Sequence, residues 1–180
     1  MTRKTLLTVV ALAAIAASMA APVAATSGKT AFGFNASPIN GFPTGSVALS
    51  GGGEYDPVSG VGHGSGGFSC LEDVLQSKLN GCLAGEGVRW DTANLVRTTT
   101  FKCTGAATEA LKPAATGPTM VIIQADFYRA GDANNESFTA QIIVSRDDLD
   151  ADLPGVQNVW VQGVGCGSAV GGFSHGASAG

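Results

Sequence analysis

The chain has 180 residues and a formal net charge of −4, with 26 glycines, four cysteines and only 13% charged residues. This length suits one domain with a sizeable core. The negative charge, and a sequence without a basic cluster, argue against nucleic acid or an anionic membrane as partner, because binding to phosphate groups needs Lys and Arg.

The first 25 residues are typical of a secretory signal peptide. Arg3 and Lys4 precede an apolar run from Leu6 to Ala17, and small residues follow up to Ala25. The run has about 12 residues, whereas a membrane-spanning helix needs about 20, so we expect cleavage after Ala25 and no membrane span. Cleavage removes two cations and no acid, which changes the net charge from −4 to −6. We predict a secreted, extracellular protein, with the cell envelope as an alternative location.

Residues 26–45 are rich in Ser, Gly, Ala, Asn and Pro. This composition indicates a flexible N-terminal arm. The arm also carries Phe32, Phe34 and Phe42, which we expect to hold part of it against the body of the protein.

A β-hairpin is predicted next, with arms at Ser46–Tyr55 and Val61–Leu71. The residues between them, Asp56 to Gly60, include Pro57 and have the chemistry of a turn. Glycines occur on both arms and favour a bent hairpin at the corner of a barrel or sandwich. A phosphate-binding loop is disfavoured because the sequence has no GxxxxGK[ST] motif.

Leu71, Val74, Leu75 and Leu79 have helical spacing, and Gly81 follows them. This pattern predicts at most one short helix, near residues 71–80, with an irregular loop between cysteines as the alternative.

Four cysteines in an exported chain indicate disulfide bonds. We predict the pairs Cys70–Cys82 and Cys103–Cys166. The alternative is a structural zinc site that would also use His63 and His175. It is disfavoured because no two cysteines have CxxC spacing.

The second half of the chain is dominated by β-branched and aromatic runs. Strands are predicted at Leu95–Cys103, Met120–Tyr128, Phe138–Ser145 and Val156–Val164. Many short strands and little helix predict an all-β fold, a single antiparallel sandwich or small barrel over residues 46–173. Residues 174–180 are predicted to form a flexible tail.

The densest group of reactive side chains follows Gly85. Glu86 and Asp91, or Asp126 further along the chain, are candidates for the paired carboxylates of glycoside hydrolysis. Arg89 and Trp90 are candidate ligand-binding residues, a clamp on an anion and a platform for a sugar ring. The alternative, which we favour, has Trp90 in the core, Arg89 paired with an acid, and Glu86 and Asp91 in solvent.

Nucleophilic catalysis has less support, because the sequence has no GxSxG motif. His63 lies between two glycines and is a candidate base, but we identify no nucleophile and no orienting partner for it. We therefore assign no catalytic residue and lean towards a protein that is not an enzyme.

Asp132, Asn134 and Glu136 alternate in the loop after Tyr128 and are candidate calcium ligands. The remainder of the twelve-residue calcium-loop pattern is missing, so a solvated hairpin tip is the favoured interpretation. We expect neither a metal nor a cofactor.

Three segments carry a resemblance to other proteins: Gly85–Thr92, Ala125–Asp132 and Gln157–Cys166. On the basis of these segments, the chain from Ser46 to Phe173 resembles an uncharacterised group of secreted proteins from bacteria, specifically actinobacteria. The resemblance implies no activity, substrate or site.

The favoured hypothesis is a secreted, disulfide-stabilised β-domain that binds a small ligand or an envelope component without catalysis. The second hypothesis is a secreted hydrolase that acts on polysaccharide with the paired carboxylates. The third is a structural protein of the envelope.

Overall fold

A computed structural model describes residues 28–129 and 135–176. Within these ranges the chain forms a closed antiparallel barrel of eight strands and a separate two-stranded sheet. The predicted all-β class is confirmed, and of the two predicted architectures the barrel is the one observed. The predicted signal peptide, residues 1–25, lies outside the described residues. No helix in the described ranges is both long and apolar enough to cross a membrane.

The barrel strands are β1 (Thr30–Gly41), β2 (Ser46–Asp56), β3 (Val61–Glu72), β4 (Arg89–Leu95), β7 (Met120–Tyr128), β8 (Phe138–Ser145), β9 (Val159–Val161) and β10 (Gly165–His175). They follow the order β1-β10-β9-β8-β7-β4-β3-β2 around the barrel, and every neighbouring pair is antiparallel. The small sheet consists of β5 (Thr98–Phe101) and β6 (Lys112–Ala115).

Large side chains fill the barrel. Alternate residues of each strand point inward, as the twofold periodicity of a β-strand requires. Trp90, Phe127 and Ile142 are fully buried at 0% exposure. They belong to one apolar cluster that also includes inward residues of β1, β2, β3 and β9. The interior is therefore a packed core.

The first strand corrects the expectation of a flexible arm at residues 26–45. Thr30–Gly41 forms β1, which pairs with β2 on one side and β10 on the other. Phe32, Phe34 and Ala36 are buried and alternate with more exposed neighbours. The arm prediction is wrong for this segment because its composition of small residues conceals a regular strand pattern with aromatic residues on the inner face.

The end of the chain is also more ordered than predicted. β10 continues to His175, whose Nδ1 lies 3.0 Å from Oγ1 of Thr30. The flexible tail predicted for 174–180 is therefore wrong for Ser174 and His175, and residues 177–180 lie outside the described ranges. The helical pattern near 71–80 produces a single 3-10 turn at Ser77–Leu79 inside a loop.

Glycines of the predicted hairpin make room for Trp90. The indole Nε1 of Trp90 donates a hydrogen bond of 2.9 Å to the carbonyl of Ser50. A Cβ on Gly51 would lie 2.5 Å from Cζ2 of this indole, and a Cβ on Gly66 would lie 2.7 Å from its Nε1. These glycines thus allow the close approach of the ring to the backbone.

We predict opposite effects for two neighbouring glycines. Gly66→Ala should destabilise the fold by about 1–3 kcal/mol, because the new methyl group overlaps Trp90 and the β2 backbone. Gly67→Ala should stabilise it by about 0.4–1 kcal/mol, since its Cβ has only ordinary contacts and alanine restricts the unfolded chain. Urea unfolding of both variants checks this prediction, and equal effects would contradict it.

A second apolar cluster covers part of the outer wall of the barrel. Trp160 of β9 packs against Phe101 of β5, with ring centroids 5.8 Å apart. Its Nε1 donates a hydrogen bond of 2.8 Å to the carbonyl of Lys102. The Cys103–Cys166 disulfide joins the segment after β5 to β10. The two-stranded sheet is thereby fixed to the outside of the barrel.

Candidate functional site: a charged strip on the outer wall

Most of the sequence-predicted site residues come together on the outer wall. Trp90 points inward, so its neighbours Arg89 and Asp91 on β4 point outward. β4 pairs with β7, and this register places Asp91 directly opposite Asp126. The charged strip, as we call this surface, consists of Glu86, Arg89, Asp91, Asp126, Arg129 and Glu136.

Trp90 is not part of this surface. Its side chain is fully buried and lies between Phe34, 6.2 Å away between ring centroids, and the β2 backbone. The sugar-platform hypothesis for Trp90 is therefore wrong, and the alternative of a core residue is confirmed. The physical reason for its burial is that Trp90 points into the barrel, where the glycines of β2 and β3 leave room for the indole.

Arg89 is held in place by two neighbours. Its Nε lies 3.2 Å from Oδ2 of Asp91, and both side chains are nearly half exposed. The guanidinium also lies 4.5 Å from the centre of the Tyr128 ring, an arrangement typical of a cation–π contact. The predicted pairing of Arg89 with an acid is confirmed. These contacts orient the guanidinium plane at the surface.

Acidic groups lie beside this pair. The hydroxyl of Thr139 on β8 donates a hydrogen bond of 3.3 Å to Oδ1 of Asp126. A hydrogen bond shared with Asp126 and the charge of that residue raise the pKa of the Glu136 carboxyl. Asp91, Asp126 and Glu136 thus concentrate negative charge next to the Arg89 guanidinium.

Glu86 has a structural contact as well as a charge. Its Oε2 accepts a hydrogen bond of 2.9 Å from the N–H of Leu83 and lies 3.5 Å from a guanidinium nitrogen of Arg129. Arg129 in turn lies over the ring of Phe138, 5.2 Å from its centre. Glu86 therefore connects the loop before β4 to the end of β7.

The candidate carboxylates Asp91 and Asp126 lie on the outer wall of the barrel, and Glu86 lies in the loop before β4. Glycosidases place two carboxyl groups on either side of a bound sugar. Five concavities of the described residues are lined by other side chains, and Glu86, Asp91 and Asp126 line none of these five. Each of these acids has a polar or charged neighbour on the outer wall.

His63 lies on β3, the strand next to β4. It is opposite Glu54 in the pairing of β2 and β3. Both residues, with Lys29 and Asp56, line a cavity of about 220 Å³ near the turn of the hairpin. Ser65, two residues further along β3, pairs with Asp91, so the register places His63 on the same outer face as that carboxylate.

Both predicted disulfides are confirmed. Cys70 bonds Cys82 and Cys103 bonds Cys166, and no cysteine is free. The alternative zinc site is wrong because disulfide sulfurs are no longer thiolate ligands. The calcium candidates Asp132 and Asn134 lie outside the described residues, and the third candidate, Glu136, lies beside Asp126.

The sequence does not predict a partly buried ion cluster next to the Cys103–Cys166 disulfide. Glu109 and Asp150 lie near Cys103, in an arrangement that could hold a cation. Lys112 already supplies one, because its Nζ lies 3.0 Å from Glu109 and 2.9 Å from Asp150. This cluster ties β6 to the loop before β9. A structural role therefore accounts for it.

Glu109 makes this cluster sensitive to acid. Burial raises the pKa of Glu109, but hydrogen bonds from Thr104, Lys112 and the N–H of Cys103 outweigh it and lower the pKa from 4.5 to about 2. A lowered carboxyl pKa stabilises the folded state above pH 4.5, and this contribution disappears as the pH falls towards 2.

We predict that Glu109→Gln weakens the dependence of stability on pH between about 4.5 and 2. The free energy of unfolding, measured in urea at several pH values, checks this. Glu72→Gln is the control, because Glu72 at the end of β3 is exposed. If the free energy of unfolding changes with pH as steeply in Glu109→Gln as in the wild type, the prediction is wrong.

Comparison with protein-family models, curated proteins and solved structures finds no match for the chain. The resemblance to secreted actinobacterial proteins therefore stays a prediction. The class that the structure defines is a disulfide-bonded eight-stranded antiparallel β-barrel with a packed interior. Its two disulfides are compatible with an extracellular location.

Proposed function

We propose that the protein is secreted and binds a polar component of the cell envelope, without catalysis, through the charged strip. The observation that carries this proposal is the orientation of the Arg89 side chain, which is stacked on Tyr128 and paired with Asp91. A side chain that is already ordered loses less conformational entropy when it binds a ligand. The packed interior of the barrel supports binding on the outer wall rather than inside.

The chemistry of the strip suits a hydroxyl-rich ligand, such as an envelope polysaccharide. Guanidinium groups donate hydrogen bonds only, whereas ionised carboxylates only accept them. Sugar hydroxyls can do both. Arg89 next to Asp91 and Asp126 therefore offers a donor and acceptors to neighbouring hydroxyls of one chain.

Co-sedimentation of the purified protein with insoluble cell-wall polysaccharide tests the proposal. We expect the wild type to sediment and Arg89→Gln to bind at least about tenfold more weakly, since hydrogen bonds to charged groups contribute about 1.5–3 kcal/mol. The matched control is Arg146→Gln. Arg146 is also an exposed arginine paired with a neighbouring aspartate, at 3.5 Å, but lies outside the strip.

Equal losses in the two variants would indicate nonspecific charge effects and contradict the proposal, as would full binding by Arg89→Gln. The supernatant is also assayed for newly formed reducing ends. If these appear with the wild type and disappear with Asp91→Asn or Asp126→Asn, the protein is a hydrolase, and the non-catalytic proposal is wrong.

A further inference from the structure

Strand β10 is longer than its neighbour on one side of the barrel. β9 pairs with β10 only from Gly165 to Gly167, whereas β1 pairs with β10 as far as His175. On the side of β10 that faces β9, the backbone of Ala169 is bonded to the side chain of Asn158. This side chain donates a hydrogen bond to the carbonyl of Ala169 and accepts one from its N–H. Beyond Ala169, none of the described strands pairs with this side of β10.

The hydrogen-bond pattern identifies the backbone groups on this open edge. The N–H of Gly176 donates to the carbonyl of Lys29, on the β1 side. Bonding direction alternates along an antiparallel strand, so Gly172 also bonds towards β1. Gly171 and Phe173 therefore direct their N–H and C=O groups to the open edge.

The residues of the open edge themselves lack the features that usually protect a β-strand from pairing with another chain, and Arg146 lines a small concavity beside them. Residues 170–174 contain no charge and no proline, and their pairing with β1 is regular. Val170 lies on the outer face and is 85% exposed, more than the other exposed large apolar residues. The edge is therefore a suitable template for another strand.

We propose that β10 of a second copy of this chain pairs with this edge and forms a symmetric dimer. The segment is complementary to itself in the antiparallel direction. A twofold axis at Gly172 places Gly171 of each copy opposite Phe173 of the other, and each of these pairs exchanges two backbone hydrogen bonds.

The side chains on the inner face fit this register. Phe173 packs in its own barrel against Phe32 and Tyr55, with ring centroids 6.4 Å away in each case. Opposite a glycine, an aromatic ring covers backbone that no side chain shields. Charge also favours a second copy. The whole chain is acidic, and this uncharged segment is a place where two copies meet without repulsion between carboxylates.

Gly172→Lys tests the dimer at its axis. A Cβ at Gly172 has no atom within 4 Å, so the barrel should accept the side chain. In the dimer the two lysines would face each other across the axis. We therefore expect the dissociation constant of the dimer to be at least about fivefold higher than that of the wild type. The matched control is Gly67→Lys on β3, another strand glycine with room for a Cβ but far from this edge.

Sedimentation velocity over a range of concentrations gives the oligomeric state. We expect a dimer for the wild type and Gly67→Lys, and weaker dimers for Gly172→Lys and Gly172→Glu. Mixing the last two chains should restore dimers, because opposite charges then meet at the axis. A wild type that stays monomeric at every concentration, or a mixture no more dimeric than its components, overturns the proposal. Thermal unfolding of each variant confirms that the monomer is folded.

Discussion

Replacing Lys112 with methionine is expected to destabilise the fold by about 3–5 kcal/mol, the usual effect of removing one partner from a buried ion pair. The side chain of Asp150 is only 3% exposed, and Lys112 is its ion-pair partner at 2.9 Å. Glu109 keeps hydrogen bonds from Cys103 and Thr104 when the lysine is lost. Asp150 keeps a hydrogen bond of 3.3 Å from the N–H of Asp152 but loses its cation, so the cost arises mainly from its buried charge. Urea unfolding monitored by circular dichroism measures it.

Lys102→Met is the matched control, because Lys102 is only half-buried and its ammonium group donates a hydrogen bond of 3.1 Å to the carbonyl of Ala106 rather than to a buried carboxylate. We expect its effect to stay within about 0.5 kcal/mol. Adding Asp150→Asn to Lys112→Met should recover part of the lost stability, since the second change removes the buried charge. If the double variant is less stable than Lys112→Met, the unpaired carboxylate is not the cause.

The elements with strong local signals were predictable from the sequence. Two strands, β7 and β8, match their predicted ranges because β-branched runs end at polar loops. The hairpin of β2 and β3 follows from its turn at 56–60. The sequence does not predict the strands β1 and β10, because small and polar residues make up most of their outer faces. Their aromatic residues, Phe32 and Phe173, alternate inward and were the available signal.

The candidate site was predictable in its residue types but not in its geometry. Arg89 and Asp91 are two positions apart on one strand, so their shared face follows from the period of a β-strand. The position of Asp126 beside Asp91 depends on the register of β4 against β7, which is set by the whole barrel. The same limit applies to Lys112 and Asp150, which come from distant parts of the sequence.

Replacing Trp90 with alanine is also expected to destabilise the protein strongly, by about 3–5 kcal/mol. The indole is fully buried, and the glycines that surround it have no side chains to fill the cavity. Trp90→Phe should cost less, because a ring remains, although the carbonyl of Ser50 loses its hydrogen bond from the indole. Val88→Ala is the control, since Val88 is 53% exposed. Urea midpoints followed by circular dichroism compare the three variants.

The same variants separate a core role from a binding role. Trp90 lies inside the barrel, so Trp90→Phe should keep the wild-type affinity for the polysaccharide at a temperature where it remains folded. A sugar platform would behave differently, because a smaller ring stacks less surface on the ligand. If a folded Trp90→Phe protein loses binding and Arg89→Gln does not, the binding site lies near the indole and not on the charged strip. We expect the reverse order, because Arg89 reaches solvent and Trp90 does not.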